Sequence, residues 1–535
     1  MAVSGKKAIK YILGQIPFTA EIYWQTRQKG SPINSRFSLK GLQGAIPELI
    51  RDVEDMRQTA PKGKNIFVFA TLHYWIEHAA VMGLSLAAQG HNVTLGFLPY
   101  SDWQSPTNKF DLRRQNAYAL SILSQLKPVM ESVSLLMTAP PLGKLPENLE
   151  KEIDIVSHYD TQYTLQVEDV DTQDKIYRLR DLRNKRAGHA AYKLLGELQP
   201  DTVIVPNGTI QELGVVYRVA KYLKIPTVTY EFGDQRRRVW IAQNTEVMRQ
   251  ETDEMWKAAQ DIKLNEAQLD KIRSLYVSRK KAALWENFAR VWQDTPAQGG
   301  GVIRQQMGLD DRPIVLLATN VLGDSLTLGR HIFSRNMAEW ISRTVQYFAG
   351  VTDYQLIIRI HPGEVLTHGQ SMADVVHQLL PKLPDHIHLV DADNRTNTYD
   401  LIEIADLGLV YTTTVGLEMA MTGLPVIVSG QTHYRNRGFT FDPDSWVVYL
   451  KTLKRLLDDP KSNRLDKSQV EKAWSYAYHF FFVFPRPYPW HLVRMWDDFK
   501  ENPLRKTMTG PDWMTYQPTF KYLVGESIHW KKVFE

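Results

Sequence analysis

The sequence predicts an α/β protein with two doubly wound parallel-sheet domains facing a cleft and helical extensions at both ends. Three observations predict it. Short continuous apolar runs recur, such as Ile66-Phe67-Val68-Phe69-Ala70 and Ile314-Val315-Leu316-Leu317-Ala318, the pattern of parallel strands covered on both faces. These runs alternate with helical stretches, and that alternation implies crossover connections in a parallel sheet. Finally, 535 residues exceed what one hydrophobic core usually serves, and the alternation starts afresh after Gln298-Gly299-Gly300-Gly301.

Composition narrows the class. With 43% hydrophobic and 23% charged residues the chain reads as an ordinary soluble globular protein. Its net charge of +5, from 64 basic and 59 acidic residues, is too diluted to argue for nucleic acid. The absence of cysteine excludes disulfides, thiol catalysis and cysteine-ligated zinc. No apolar run approaches the roughly 18–20 residues of a transmembrane helix. The N-terminal MAVSGKKAIKYILGQIPF lacks a signal-peptide core and a cleavage site, so a cytoplasmic location is expected. That stretch reads as an amphipathic helix packed on the body. The competing reading is a peripheral contact with the inner face of the plasma membrane through Lys6, Lys7, Lys10 and Tyr11.

In chain order, residues 1–60 read as a helical extension that ends in a polar run up to Lys64. The first domain, 61–298, opens with the strand at Ile66, a helix from Glu77 to Ala88 closed by Gly90, and the strand Val93–Leu98. Residues 105–200 read as helical and charged, with an insertion around Pro140–Pro146. The strand Val203–Val205, a helix over Glu212–Leu223 and the strand Pro226–Tyr230 follow, then a charged helical stretch over roughly 246–293. The glycine run at 299–301 is the linker candidate. The second domain, 302–450, carries strands at Ile314, Gln355–Ile360 and His388–Val390, with helices near 335–348 and 371–380. It closes with the segment 401–442. Residues 451–535 read as a helical, aromatic-rich segment packing back on the body, and Tyr476–Phe484 as core rather than a stacking surface.

Segment 401–442 is the most informative stretch. Val410 ends an apolar run, Thr412, Thr413 and Thr414 follow, and Gly416 opens a short helix carrying Glu418. A hydroxyl-lined turn leading into helix N–H groups suits a phosphate, and a carboxylate one turn in can accept from ribose hydroxyls. Ligands of open α/β sheets bind outside the carboxyl ends of strands. Arg359, His361 and Pro362 fall at such an end, where His361 reads as a phosphate or base contact or as a structural turn. Asn320 and Asp324 lie at the same edge, as substrate contacts or as turn residues. Beyond the last strand, Tyr434 could stack on a base and Arg435 could meet a phosphate, unless this is a solvated loop.

In the first domain, Glu231 and Asp234 are the candidate catalytic carboxylates and His73, with His78, the candidate imidazoles, because transfer to an acceptor hydroxyl needs a base. The competing reading is helix capping. His361, Glu364 and His368 do not make a metal site, since Pro362 and Gly363 break the helix that spacing requires. No metal is called for.

RIHPGE (359–364), the Thr412–Asp442 segment and ATNVLGDS (318–325) together resemble bacterial capsule polysaccharide biosynthesis glycosyltransferases, in the group of the capsule Kdo transferases. The likeness spans roughly residues 200–450. It implies a GT-B architecture of two Rossmann-like domains, with the donor held mainly by the second. It implies that His361 and Pro362 contact the nucleotide, Thr412–Thr414 and Gly416 its phosphate, and Glu418 the ribose. The implied partners are a nucleotide-sugar donor of CMP-Kdo type, as co-substrate with no further cofactor, and a glycan or glycolipid acceptor. Asn207-Gly208 and Glu231-Phe232-Gly233 look like the family's first-domain motifs, although Thr209 stands where an arginine often follows. A CDP-glycerol-type polyol phosphotransferase shares a similar layout, and a non-catalytic nucleotide-sugar-binding partner is the non-enzyme alternative.

Overall fold

The computed structural model describes residues 5–33, 36–138, 144–286, 288, 294–367 and 369–534. Part of the insertion expected near 140–146, the end of the 246–293 stretch and His368 lie outside them.

The first sheet holds β1 (Asn65–Thr71), β2 (Asn92–Leu98), β3 (Glu131–Ser134), β4 (Thr202–Pro206), β5 (Thr227–Glu231) and β6 (Arg238–Gln243). The second holds β7 (Ile314–Ala318), β8 (Gln355–Arg359), β9 (Ile387–Val390), β10 (Leu407–Val410) and β11 (Val426–Val428), while β12 (Arg486–Pro487) returns to the first. The spatial orders are β12-β6-β5-β4-β1-β2-β3 and β11-β10-β7-β8-β9. Counted within each half, both parallel cores therefore run 3-2-1-4-5. Each sheet thus has a switch point, β1/β4 in the first and β7/β10 in the second, where doubly wound folds bind ligands. The architecture is GT-B-like, as expected.

Alternate residues of β1 show why its run is continuously apolar. Ile66, Val68 and Ala70 pack beneath the helices Lys40–Arg57, His73–Ala88 and Lys109–Leu123. Phe67 and Phe69 pack beneath Glu147–Leu165, Lys175–Leu198 and Gln211–Tyr222. The latter three helices are pinned by Arg180, fully buried, which donates through Nε to Asp160 at 2.5 Å and through Nη2 to Glu212 at 3.0 Å.

Some elements depart from the sequence reading. β3 (ESVS) is an edge strand with little apolar content, and β6 (RVWIAQ) is an antiparallel strand next to the short edge strand β12 with one buried face, so neither carries a continuous apolar run. The 246–293 stretch is not one helix: it holds the helices Asp253–Ala259 and Glu266–Lys280. Although it precedes the glycine run, its Met255, Trp256, Ile272 and Leu275 pack in the core of the second sheet. The glycine run is no linker. Gly299 caps the helix Gly300–Gln306, and the N–H groups of Gln298 and Gly299 both donate to the Asp400 carboxylate at 2.8 Å.

The C-terminal segment serves both halves. Tyr476, Phe480 and Phe482 join the second core, and Tyr488, Trp490, Phe520 and Leu523 join the first. Between them the chain crosses back to add β12 antiparallel to β6.

Candidate functional site at the facing sheet edges

At the first switch point, β1 is followed by Leu72, whose φ of 65° and ψ of 140° L-residues rarely adopt. The next residue is His73, half-buried, with its imidazole pKa lowered by burial. β4 is followed by Asn207 (φ 59°) and Gly208 (φ 80°). A Cβ on Gly208 would lie 2.6 Å from Thr229 Cγ2, so the turn needs glycine for both space and backbone angle. Asn207 Oδ1 accepts from the N–H groups of Thr209 and Ile210, which leaves Nδ2 to donate to Glu231 Oε2 at 3.1 Å.

Glu231, the last residue of β5, also accepts from the Phe232 N–H at 3.0 Å. Burial outweighs both hydrogen bonds and raises its carboxyl pKa to about 7. A carboxyl that titrates near neutrality is suited to general base work. Two phenols share its field. Burial, Tyr163 and Glu231 push Tyr74 up to about 12, and Tyr163 is raised by burial, Asp324 and Glu231. Asp324 belongs to the second half, so Tyr163 lies within the field of carboxylates from both halves.

That apposition is direct. A Cβ on Gly323 (φ 66°) would lie 2.2 Å from the carbonyl oxygen of Gln162. The Glu168 carboxylate accepts from the N–H groups of Met337 and Ala338, at 2.8 and 2.7 Å, and so caps a second-half helix from the first half. Arg330 donates to the carbonyls of Met248 and Arg249. Asp234 lines a small pocket with Trp240, Phe480 and Phe481 and lies close enough to raise the pKa of Arg279.

At the second switch point Asn320 Oδ1 accepts from the Thr412 N–H at 3.1 Å and ties the ends of β7 and β10 together. The Thr412 and Ser429 hydroxyls are buried with no hydrogen-bond partner among the described residues. Thr413 and Thr414 are half-buried, and Thr414 precedes the helix Val415–Met421 without capping it through its side chain. His361 Nδ1 accepts from the Gly363 N–H at 2.9 Å, and its own N–H donates to Thr319 Oγ1 at 3.0 Å. Acceptance at Nδ1 puts the proton of a neutral ring on Nε2 and makes that atom a donor. Pro362 starts the short turn that follows.

Four expected ligand contacts are committed elsewhere. Glu418, expected at a ribose, accepts from Arg279 Nη1 at 2.5 Å in an ion pair with both side chains buried. Tyr434, expected to stack on a base, is fully buried, and its hydroxyl donates to the Thr413 carbonyl at 2.6 Å from beneath the turn. Arg435 donates to the Val428 and Pro443 carbonyls, and Arg359 to the Asp391 carbonyl. Burial depresses Arg435, and brings Arg359 down to about 10. Of the four, Tyr434 braces the turn itself, and the other three are bound to neighbouring segments. Among the imidazoles, His78 is fully buried between Tyr230, Phe232 and Tyr488, with its pKa lowered to about 3, so it belongs to the core. Sequence reading missed Tyr74, Tyr163 and Arg279, which lie in helices with no motif to mark them.

No protein-family model matches the chain, and no curated protein matches it. Solved structures do. A Thermosulfurimonas dismutans KpsC, described as a β-Kdo 2,4-transferase, is 16% identical over 54% of this chain and 81% of its own, with a TM-score of 0.35. Its β-Kdo 2,7-transferase counterpart is 13% identical over 54% and 79%, with a TM-score of 0.30. A Neisseria meningitidis UDP-GlcNAc 2-epimerase bound to UDP-GlcNAc is 14% identical over 78% and 99%, with a TM-score of 0.25. At scores this low, the sheet order of the chain itself defines the fold.

Proposed function

We propose that this chain is a glycosyltransferase that moves a sugar from a nucleotide-activated donor to an acceptor in capsule or other surface polysaccharide synthesis, in the cytoplasm. The observation that carries this reading is the apposition of two switch points. One bears a carboxyl poised near neutrality at Glu231; the other bears the hydroxyl-rich Thr412–Thr414 turn after β10, with His361 after β8 at the same edge of the sheet. The motif resemblance supplies the class, with a CMP-Kdo-like sugar nucleotide as the donor.

In this reading Thr412, Thr413, Thr414 and His361 Nε2 hold the donor phosphate, and Asn320 keeps the turn in register with β7. The acceptor oxygen attacks the anomeric carbon as the bond from that carbon to the phosphate oxygen breaks. Its proton passes to Glu231 while the nucleotide leaves toward the hydrogen-bond donors of the turn. Asp234 and His73 flank the acceptor side.

Thermal-shift measurements with CMP, CDP, UDP and GDP test the donor site, since a ligand of the native state raises its melting temperature. One nucleotide should stabilise the wild type, and His361→Ala together with Thr413→Val should abolish the shift. No shift with any nucleotide, or the same shift in the variant, overturns the assignment. Mass spectrometry of the product separates sugar transfer from polyol-phosphate transfer, which alone adds phosphorus.

A further inference from the structure

The helices Gly5–Gln15 and Thr19–Arg27 form a hairpin on the helix Lys109–Leu123. Toward the body the hairpin packs Ala20, Tyr23 on Phe110, and Trp24 on the first core. Polar links add to these: Lys10 Nζ donates to Asp111 at 2.8 Å, Arg113 Nε to Glu21 at 3.0 Å and Arg113 Nη1 to the Ile16 carbonyl at 2.7 Å. The apolar side chains of Ile9, Tyr11, Ile12, Ile16, Phe18 and Ile22 point outward, at 46–71% exposure. A surface helix ordinarily turns its apolar stripe inward, and a contiguous exposed apolar patch marks a surface that an apolar phase covers.

The tip of the hairpin adds a second observation. Phe18 adopts a left-handed backbone (φ 62°, ψ −11°), unusual for a bulky residue, and yet is 71% exposed. Charge then selects what covers the face. Residues 5–30 contain Lys6, Lys7, Lys10, Arg27 and Lys29 against one carboxylate, Glu21, which Arg113 already neutralises. Lys109 stands exposed beside Gln15 and adds to this field. Apolar side chains interleaved with lysines match the boundary between acyl chains and anionic headgroups. Among the described residues no helix is long and apolar enough to cross a membrane.

We infer that this hairpin docks the chain on an anionic lipid bilayer, with Phe18 and Ile12 entering the headgroup boundary and the lysines meeting lipid phosphates. The inference stands independently of the glycosyl-transfer reading.

The full chain is pelleted with vesicles of phosphatidylcholine and phosphatidylglycerol in equal parts, and with vesicles of phosphatidylcholine alone. It should sediment with the anionic vesicles and be released by salt. Ile12→Asp with Phe18→Asp, and separately Lys7→Glu, should each weaken binding by roughly tenfold or more. Hydrogen exchange of the wild type needs no variant: anionic vesicles should add protection within residues 5–30. Failure to sediment at low salt, protection confined to other segments, or wild-type affinity in both variants overturns the proposal. So does a concentration-dependent dimer that protects 5–30 without lipid, since a second copy would then be what covers the face.

Discussion

Replacing Glu231 by glutamine tests the poised carboxyl without knowledge of the substrate. The folded pKa is about 7 against an ordinary value of 4.5. This carboxyl is raised, so the native state binds more protons than the unfolded state between those values, and stability falls as pH rises through that window. A difference of about 2.5 pKa units at roughly 1.4 kcal/mol each gives about 3.5 kcal/mol, and partial contact with solvent lowers this to about 2–3 kcal/mol. Glutamine keeps the shape and cannot ionise. Urea unfolding of wild type and Glu231→Gln, followed by tryptophan fluorescence at pH 4.5, 5.5, 6.5 and 7.5, should therefore show the variant gaining on wild type by about 2–3 kcal/mol, mostly between pH 5 and 7. Transfer activity should move the opposite way. It should rise with pH to a plateau above about 7 in the wild type, and fall about 10²–10⁴-fold in the variant. A stability difference that stays constant across this range would refute the argument, because the carboxyl would then titrate alike in both states.

Asn207→Ala removes a hydrogen bond that favours the charged form of Glu231, so the inflection of the activity–pH profile should move upward; an unmoved inflection counts against that link. Arg180→Met strands two buried carboxylates and should cost about 3–5 kcal/mol in urea unfolding. Its deficit should shrink toward pH 5, where protonation relieves the charges. Gly323→Ala drives a methyl into the Gln162 carbonyl; it should cost about 1–3 kcal/mol and enlarge the radius of gyration seen by X-ray scattering. Arg279→Met leaves Glu418 unpaired in its buried site and should destabilise the second half by about 3–5 kcal/mol, read by hydrogen exchange over residues 415–421.

The parallel strands were legible because burial on both faces demands unbroken apolar runs, as in Ile314–Ala318 and Gln355–Arg359. Strands at the margins of the sheet escape this rule. The edge strand β3 and the antiparallel β6 have one face open, so their sequences need only partial apolarity. Residue types at strand ends do not carry the orientation of each side chain. Tyr434 and Thr413 are 21 positions apart in sequence, and no local pattern says that the tyrosine supports the turn from below. Arg279 and Glu418 meet only because a helix preceding the glycine run packs on the second sheet. Phosphate-seeking and carbonyl-bracing arginines carry the same residue name, and only the tertiary path separates them.

The return of the chain to β12 governs the order in which the molecule can be made. Residues 65–243 supply the parallel strands of the first sheet and β6, yet β6 lacks its outer neighbour, and the core lacks Tyr488, Trp490 and Phe520, until about 240 to 280 further residues have been synthesised. During translation the first half must wait on the ribosome with an open strand edge, while the second half can close around its own five-stranded sheet. Synthesis from the N-terminus and completion of the folded halves therefore run in opposite directions along this chain.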